Sequence, residues 1–430
     1  MRKTSGLLLT IISVLTVPRA ARAADTWFDL KDFGPVTQRV AVTVENPADV
    51  PVEAALVHLP MAEVRKVLPD ARFDRVCVVD PAANATTQPK RDRANEYFVP
   101  HQVSNRTLIF AIPLEPKQKK KLYVYSAPQP LSMPGFPPKT AWDNRHAYRS
   151  FENNLIAYRM ETGPGANTMG FGIDAFGKTK AGKGLRLLEA YEHGHDSYHK
   201  LAYWGVDILK VGYGPAIGGI YVISGSGSDE KNMGRPQIPT SRVECAYTGP
   251  VETLLHCTAP VEVAGKKVTV TRRYTIVGDD RTVRSEDRVE GDDLEGLTIG
   301  IGIRDLPSGK WIEKANPGYA ISSGDSNQPE SGYTSVALSA VFPKSGFERI
   351  VELKDPKNAK QGFGDAGHVY VLKPEKVDNA LVANNRLTMI WNGDGEISKT
   401  EELEKACQRW AAQRDNPVKI ELGKEAESKS

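Results

Sequence analysis

The sequence predicts a mainly β protein: an N-terminal β-sandwich, a larger antiparallel β domain, and a helix closing the chain. Three observations carry this. Strand-length apolar runs recur along the chain, many alternating with period two. Gly, Asp, Asn and Pro clusters separate them at hairpin spacing. A stripe with helical spacing and its own start signal stands near the C-terminus.

Composition sets the outer bounds. The chain has 430 residues, 40% hydrophobic and 25% charged, with a net charge of +3. That is ordinary globular chemistry and excludes a mainly disordered chain. Near-balanced charge argues against a nucleic-acid binder, which would show a basic stripe. Four cysteines cannot build a disulfide scaffold, and no CxxC occurs. The length calls for more than one domain.

The elements follow in order. Arg2 and Lys3, the apolar run Gly6 to Val17 and the small residues Ala21-Arg22-Ala23 read as a cleavable signal peptide over 1–23. The run is too short to cross a bilayer, and no other stretch is long and apolar enough. The mature protein is therefore expected to be secreted or periplasmic, with no membrane span. Asn84 and Asn105 open sequons that matter only in a glycosylating host. Residues 24–127 form the first sandwich, with strands near 40–44, 52–57, 75–79, 107–112 and 121–125. The lysines at 117 and 119–121 read as solvated edge protection. Residues 128–145 are rich in proline and read as a linker. The larger domain spans 146–422, with strands near 219–224, 251–257, 268–276, 282–289, 297–303, 334–342 and 387–391. Cys245 and Cys257 flank a turn but fall out of register as hairpin partners, so a bridge and two separate thiols both stay open. Cys77 and Cys407 read as core. Ser398-Lys-Thr-Glu401 reads as a capping box, and Leu403, Ala406, Cys407, Trp410 and Ala411 make one stripe. The tail 423–430 has little to bury and is expected to be disordered.

The chemistry concentrates between residues 153 and 219. Three of the eight histidines, His193, His195 and His199, fall within seven residues. A strand core does not need such a mixture of imidazole, charge and aromatic rings; a polar cavity does. The histidines could hold a divalent metal, zinc or calcium, with Asp196 behind one ring, although the spacing is no established metal motif. They could equally move protons near neutral pH. Tyr158 and Tyr198 could donate protons, while Arg159 and Lys210 could hold an anion. Strand alternation puts Tyr158 and Arg159 on opposite faces unless a bulge intervenes. An Arg159–Glu161 pair on the sheet surface is the plainer alternative. Trp204 could stack on a sugar ring or pack in the core. No GxSxG or nucleotide-loop motif occurs.

Tyr158-Arg-Met-Glu161, Gly163 to Gly170, Gly194 to His199, Trp204-Gly-Val-Asp207, Leu209-Lys-Val-Gly212 and Gly265 to Arg273 carry a resemblance. Val99-Pro-His-Gln-Val103 extends it into the first domain. The sequence resembles a bacterial family of exported proteins catalogued as a domain of unknown function and found beside polysaccharide-degrading enzymes. That family is similar to the galactose-mutarotase-like β-supersandwich and to an ulvan-oligosaccharide dehydratase. The resemblance implies a uronic-acid-containing oligosaccharide as partner and β-elimination across C4–C5, by a lyase or a dehydratase. His199 or His195 would be the base, and Tyr158 or Tyr198 the acid. Arg159, Lys210 or a metal would neutralise the carboxylate. Asp196 and Asp207 would orient these groups, with Trp204 against the sugar. A sugar epimerase and a non-catalytic glycan-binding protein are the alternatives.

Overall fold

In the computed structural model the described residues are 27, 34–82, 98–132, 135–143, 148–161, 170–180, 182–184, 199–211, 214–226, 232–237, 240–326, 335–354, 366–394 and 396–428. The expected signal peptide and the Asn84 sequon lie outside them. No helix among the described residues is long and apolar enough to cross a membrane.

The first strands are β1 (Gln38–Glu45), β2 (Val52–Pro60), β3 (Val76–Val79), β4 (His101–Ser104), β5 (Thr107–Leu114) and β6 (Lys119–Ser126). One sheet runs β2–β5–β4, and another sets β6 between β1 and β3. Alternation explains the packing: Val40, Val42 and Val44 point from β1 toward Val57, Leu108 and Phe110 in a common core. Asn105 and Arg106 both take positive φ (47° and 60°) in the two-residue β4–β5 turn, the twist that matches antiparallel strands. A short helix, α1 (Met61–Val67), buries Met61 and Val64. Seven residues give too little stripe for the sequence to announce it.

Lys119–Lys121 precede the stretch of β6 that pairs with β3, which begins at Tyr123, so there β6 pairs with β1 alone. Lys120 pairs with Asp80 at 2.6 Å, and the Lys121 ammonium lies 4.9 Å from the Tyr123 ring centre. One expectation for this region is corrected: the tail is not wholly loose. The strands β26 (Lys419–Leu422) and β27 (Glu427–Ser428) both pair with β1. Arg39, almost fully buried, explains the second pairing: it donates to Glu427 at 2.6–2.7 Å and stacks on Tyr123 at 3.9 Å. A buried guanidinium needs a carboxylate, and the tail supplies it. Truncation after Leu422 is therefore expected to cost on the order of 1–2 kcal/mol, read by denaturant unfolding; an unchanged midpoint would remove this role from Glu427.

The proline-rich stretch is shorter than expected. Leu131 and Phe136 pack on the first unit, and Thr140–Asp143 is already a strand, β7. It begins the simple antiparallel order β7, β8 (Tyr148–Asn153), β9 (Ala157–Glu161), β10 (Asp174–Lys178) and β11 (Gly205–Asp207).

The remaining strands are β12 (Ile217–Ser224), β13 (Met233–Gly234), β14 (Arg242–Tyr247), β15 (Glu252–Val263), β16 (Lys266–Val277), β17 (Val283–Glu290), β18 (Leu297–Arg304), β19 (Lys310–Lys314), β20 (Tyr319–Asp325), β21 (Ser335–Val341), β22 (Phe347–Leu353), β23 (Gly367–Leu372), β24 (Glu375–Val377) and β25 (Ala380–Trp391). They form a sheet β13–β12–β18–β23–β22 and a larger one, β14–β15–β16–β17–β25–β21–β20–β19, with β24 on β25. Both sheets and one face of β8–β11 enclose the main core, from Phe151 and Met160 to Ile301 and Leu387. The fold is therefore mainly β and antiparallel, as expected.

Among the described residues the cysteines are free thiols: Cys257 faces Val243, while Cys245 faces Leu255. The closing helix, α2 (Thr400–Asp415), buries all five residues of the expected stripe against Tyr319, Ile321, Val341 and Ile390. Its start lies one residue later than the sequence suggests. The Glu402 carboxylate, not Glu401, accepts from the amides of Ser398 (3.0 Å) and Lys399 (3.3 Å).

Candidate functional site

The sheet β7–β11 has two unlike faces. Register aligns Ser150 with Arg159 and Arg159 with Asp174, and sets Phe176 opposite Asp207. Strand periodicity therefore collects Glu152, Arg159, Asp174, Lys178 and Asp207 on one face. Phe151, Tyr158, Met160, Ala175 and Val206 take the other and join the apolar core. The charged face is buried too, which is the unusual feature of this fold.

Each buried charge has a counter-charge. Arg159 donates through Nη2 to Asp174 Oδ2 at 2.7 Å and reaches Asp207 Oδ2 at 3.5 Å. Its guanidinium carbon lies 5.1 Å from the Phe176 ring centre, and Trp204 packs against Phe176 in turn. The Lys178 ammonium contacts the Glu152 carboxylate and donates to the carbonyls of Asn153 and Gly184, both at 2.6 Å. Gly205, at φ +147°, runs so close to Gly177 O that any side chain there would collide. That close passage brings β11, and with it Asp207, against β10.

His199 completes the group. Its Nδ1 lies 3.5 Å from Asp207 Oδ2, and its side chain stays 34% exposed where Asp207 is 2% exposed. Asp207 thus stands between a buried guanidinium and an imidazole that reaches solvent. A carboxylate behind an imidazole fixes its orientation and stabilises its protonated form, the arrangement a general base needs.

The expected site residues thus divide. His199, Arg159 and Asp207 come together. Arg159 does so with its guanidinium turned to two carboxylates, so it positions Asp207 and is a poor free anion clamp. Tyr158 is corrected: it lies on the opposite face, 1% exposed, between Phe151 and the segment around Thr388. Burial pushes its phenol well above the ordinary range, and its place in the core keeps it from the His199 face. Trp204 is corrected as well, being buried on Phe176 with no surface for a sugar. Lys210 is half-buried, three residues past Asp207. His193, His195, Asp196 and Tyr198 lie outside the described residues, and so does the cluster in which a metal was expected. Among the described residues no three His, Cys, Asp or Glu side chains lie close enough to hold a metal ion.

Sequence reasoning missed Asp174, Glu152 and Lys178. The signal was Asp174-Ala-Phe-Gly-Lys178, where charge, ring and charge recur with period two. Beside the site, Lys183 (3.5 Å) and Arg281 (2.9 and 3.0 Å) converge on Asp394. Burial and Arg281 lower the Lys183 pKa, while Asp394 opposes them.

No curated protein matches the chain. Among solved structures, the chain is similar to a protein in the glycosyl hydrolase family 38 from Enterococcus faecalis (9% identity, TM-score 0.47). A second is an alpha-mannosidase from Enterococcus faecalis V583 (8% identity, TM-score 0.43). The matches cover 89% of this chain but 47% and 46% of those, so the chain spans about half their length. Residues 44–420 match the family model described as Domain of unknown function (DUF4861), and the chain belongs to that family.

Proposed function

We propose that the chain is an exported carbohydrate-active enzyme that catalyses β-elimination on uronic-acid-containing oligosaccharides, with His199 as the base. The observation that carries this reading is the partly exposed His199 held against Asp207, itself anchored by buried Arg159. In the reaction His199 takes the proton from C5. The C5–H electron pair forms the C4=C5 double bond as the C4–O bond breaks, and the leaving oxygen takes up a proton. Asp207 keeps the imidazole aimed and balances the charge it gains. With Tyr158 in the core, Tyr198 is the remaining tyrosine for protonating the leaving group. Lys210, or a metal held by the histidine cluster, would sit against the substrate carboxylate, whose neutralisation makes the C5 proton removable.

The test is a spectrophotometric assay with uronate oligomers from pectin, alginate, glucuronan and ulvan, with and without a chelator. An ultraviolet band from an unsaturated uronate is expected with at least one of them. A new epimer without that band, or binding without product, would replace elimination by epimerisation or by glycan binding.

A further inference from the structure

A charged cavity lies on the outer face of the large sheet. Its volume is about 270 Å³, and its walls include Arg284, Arg386, Arg414, Glu286, Asn384 and Thr275. It opens where the outer face of the large sheet meets α2 and the edge of β2. Arg284 donates to Ala54 O at 3.2 Å, and Gln413 donates to Pro51 O at 2.7 Å, so the first unit closes one side.

Among the described residues no carboxylate forms an ion pair with Arg386, while Glu53 is paired with Arg409 at 2.9 Å. Arg284 and Arg386 are direct cross-strand partners, an arrangement that costs stability when both carry like charge. Asp280 is nearby, but its oxygens are engaged: Oδ2 accepts from Arg284 at 2.8 Å, and Oδ1 accepts from Thr282 N and Oγ1. Glu286 pairs with Arg273 at 3.2 Å. Arg414 is spent on Asp415 and on the carbonyls of Phe342 and Pro317. Arg386, in contrast, donates at 2.7 Å to Gln413 Oε1, a neutral amide. Burial, then Arg284, push its pKa down to about 10 against the opposing pull of Asp280 and Glu53, with Arg414 adding to the lowering.

We propose that this cavity binds an oxyanion, the carboxylate or sulfate group of a ligand no larger than one sugar-acid residue, with Arg386 as its principal donor. A planar guanidinium matches both groups bidentately. The volume lies just below the range of about 300–1,000 Å³ typical for drug-sized ligands. Asn384, exposed at the rim, supplies an amide toward the rest of the ligand. The site is independent of the elimination chemistry at His199.

The experiment is calorimetric titration and thermal unfolding of the full chain with sodium sulfate, with sodium glucuronate, and with sodium chloride at matched ionic strength. Saturable binding and a raised melting temperature are expected with sulfate, glucuronate or both, beyond the effect of chloride. The two arms identify which oxyanion fits. Arg386→Gln keeps a donor for Gln413 but loses the charge. It is expected to weaken binding by about tenfold or more and to raise the ligand-free melting temperature by removing the repulsion from Arg284. Asn384→Ala, at an exposed position, is expected to weaken glucuronate more than sulfate. Equal shifts with all three salts, or unchanged affinity in Arg386→Gln, would overturn the proposal.

Discussion

Replacing His199 with alanine is expected to lower the elimination rate by about 10²–10⁴-fold, the usual contribution of a positioned general base. The fold should survive, because the imidazole is one-third exposed. Unchanged thermal unfolding together with lost activity would separate catalysis from stability, and added imidazole should restore part of the rate. Asp207→Asn is the companion change. It removes the charge that orients His199 and also half of the pair that balances Arg159. Its expected signature is therefore a loss of rate accompanied by a lower melting temperature. Full activity of His199→Ala on every uronate substrate turned over by the unaltered protein would end the proposed role.

The contrast between these two residues shows what the sequence makes legible. Strands such as β15, β16 and β17 announce themselves because alternation and turn residues agree. The stripe of α2 does the same at helical spacing. Local pattern says less about which elements meet. Nothing near β1 indicates that β27, almost the whole chain away, will bring Glu427 to Arg39. The site divides in the same way. The histidine cluster and Asp207 stand out by composition, and alternation already separates Tyr158 from Arg159. Asp174 is different, since its role depends on the pairing of β9 with β10, which is a tertiary fact. Trp204 illustrates the converse: a ring in a polar segment looks like a sugar platform until Phe176 is found against it.

Arg272→Met is expected to cost about 3–5 kcal/mol of stability, because it leaves Asp287 buried and unbalanced. Both side chains are fully buried on the inner face of the large sheet, in register across β16 and β17. Arg272 pairs with Asp287 through two nitrogens, Nη2 at 2.8 Å from Oδ2, and also donates to Tyr274 at 2.8 Å. Asn385 donates to the same carboxylate at 2.9 Å. Burial opposes the charge on Arg272, yet Asp287 and Tyr274 hold its pKa above the ordinary value. Removing both charges with Arg272→Met and Asp287→Leu should recover much of the loss, since a well-packed apolar pair often matches a buried ion pair. The double variant is still expected to lose activity. Arg272 donates to Gly218 O, and with Tyr274 it holds Phe171 O at 3.2 and 2.6 Å. Phe171 takes a positive φ of 58°, a strained conformation for a residue with a bulky side chain, so it depends on those bonds. Three residues later β10 begins with Asp174, the carboxylate opposite Arg159. Stability restored without activity would therefore mark the Arg272 network as the support that sets the register of the His199 site. Restoration of both would reduce it to a means of filling the core.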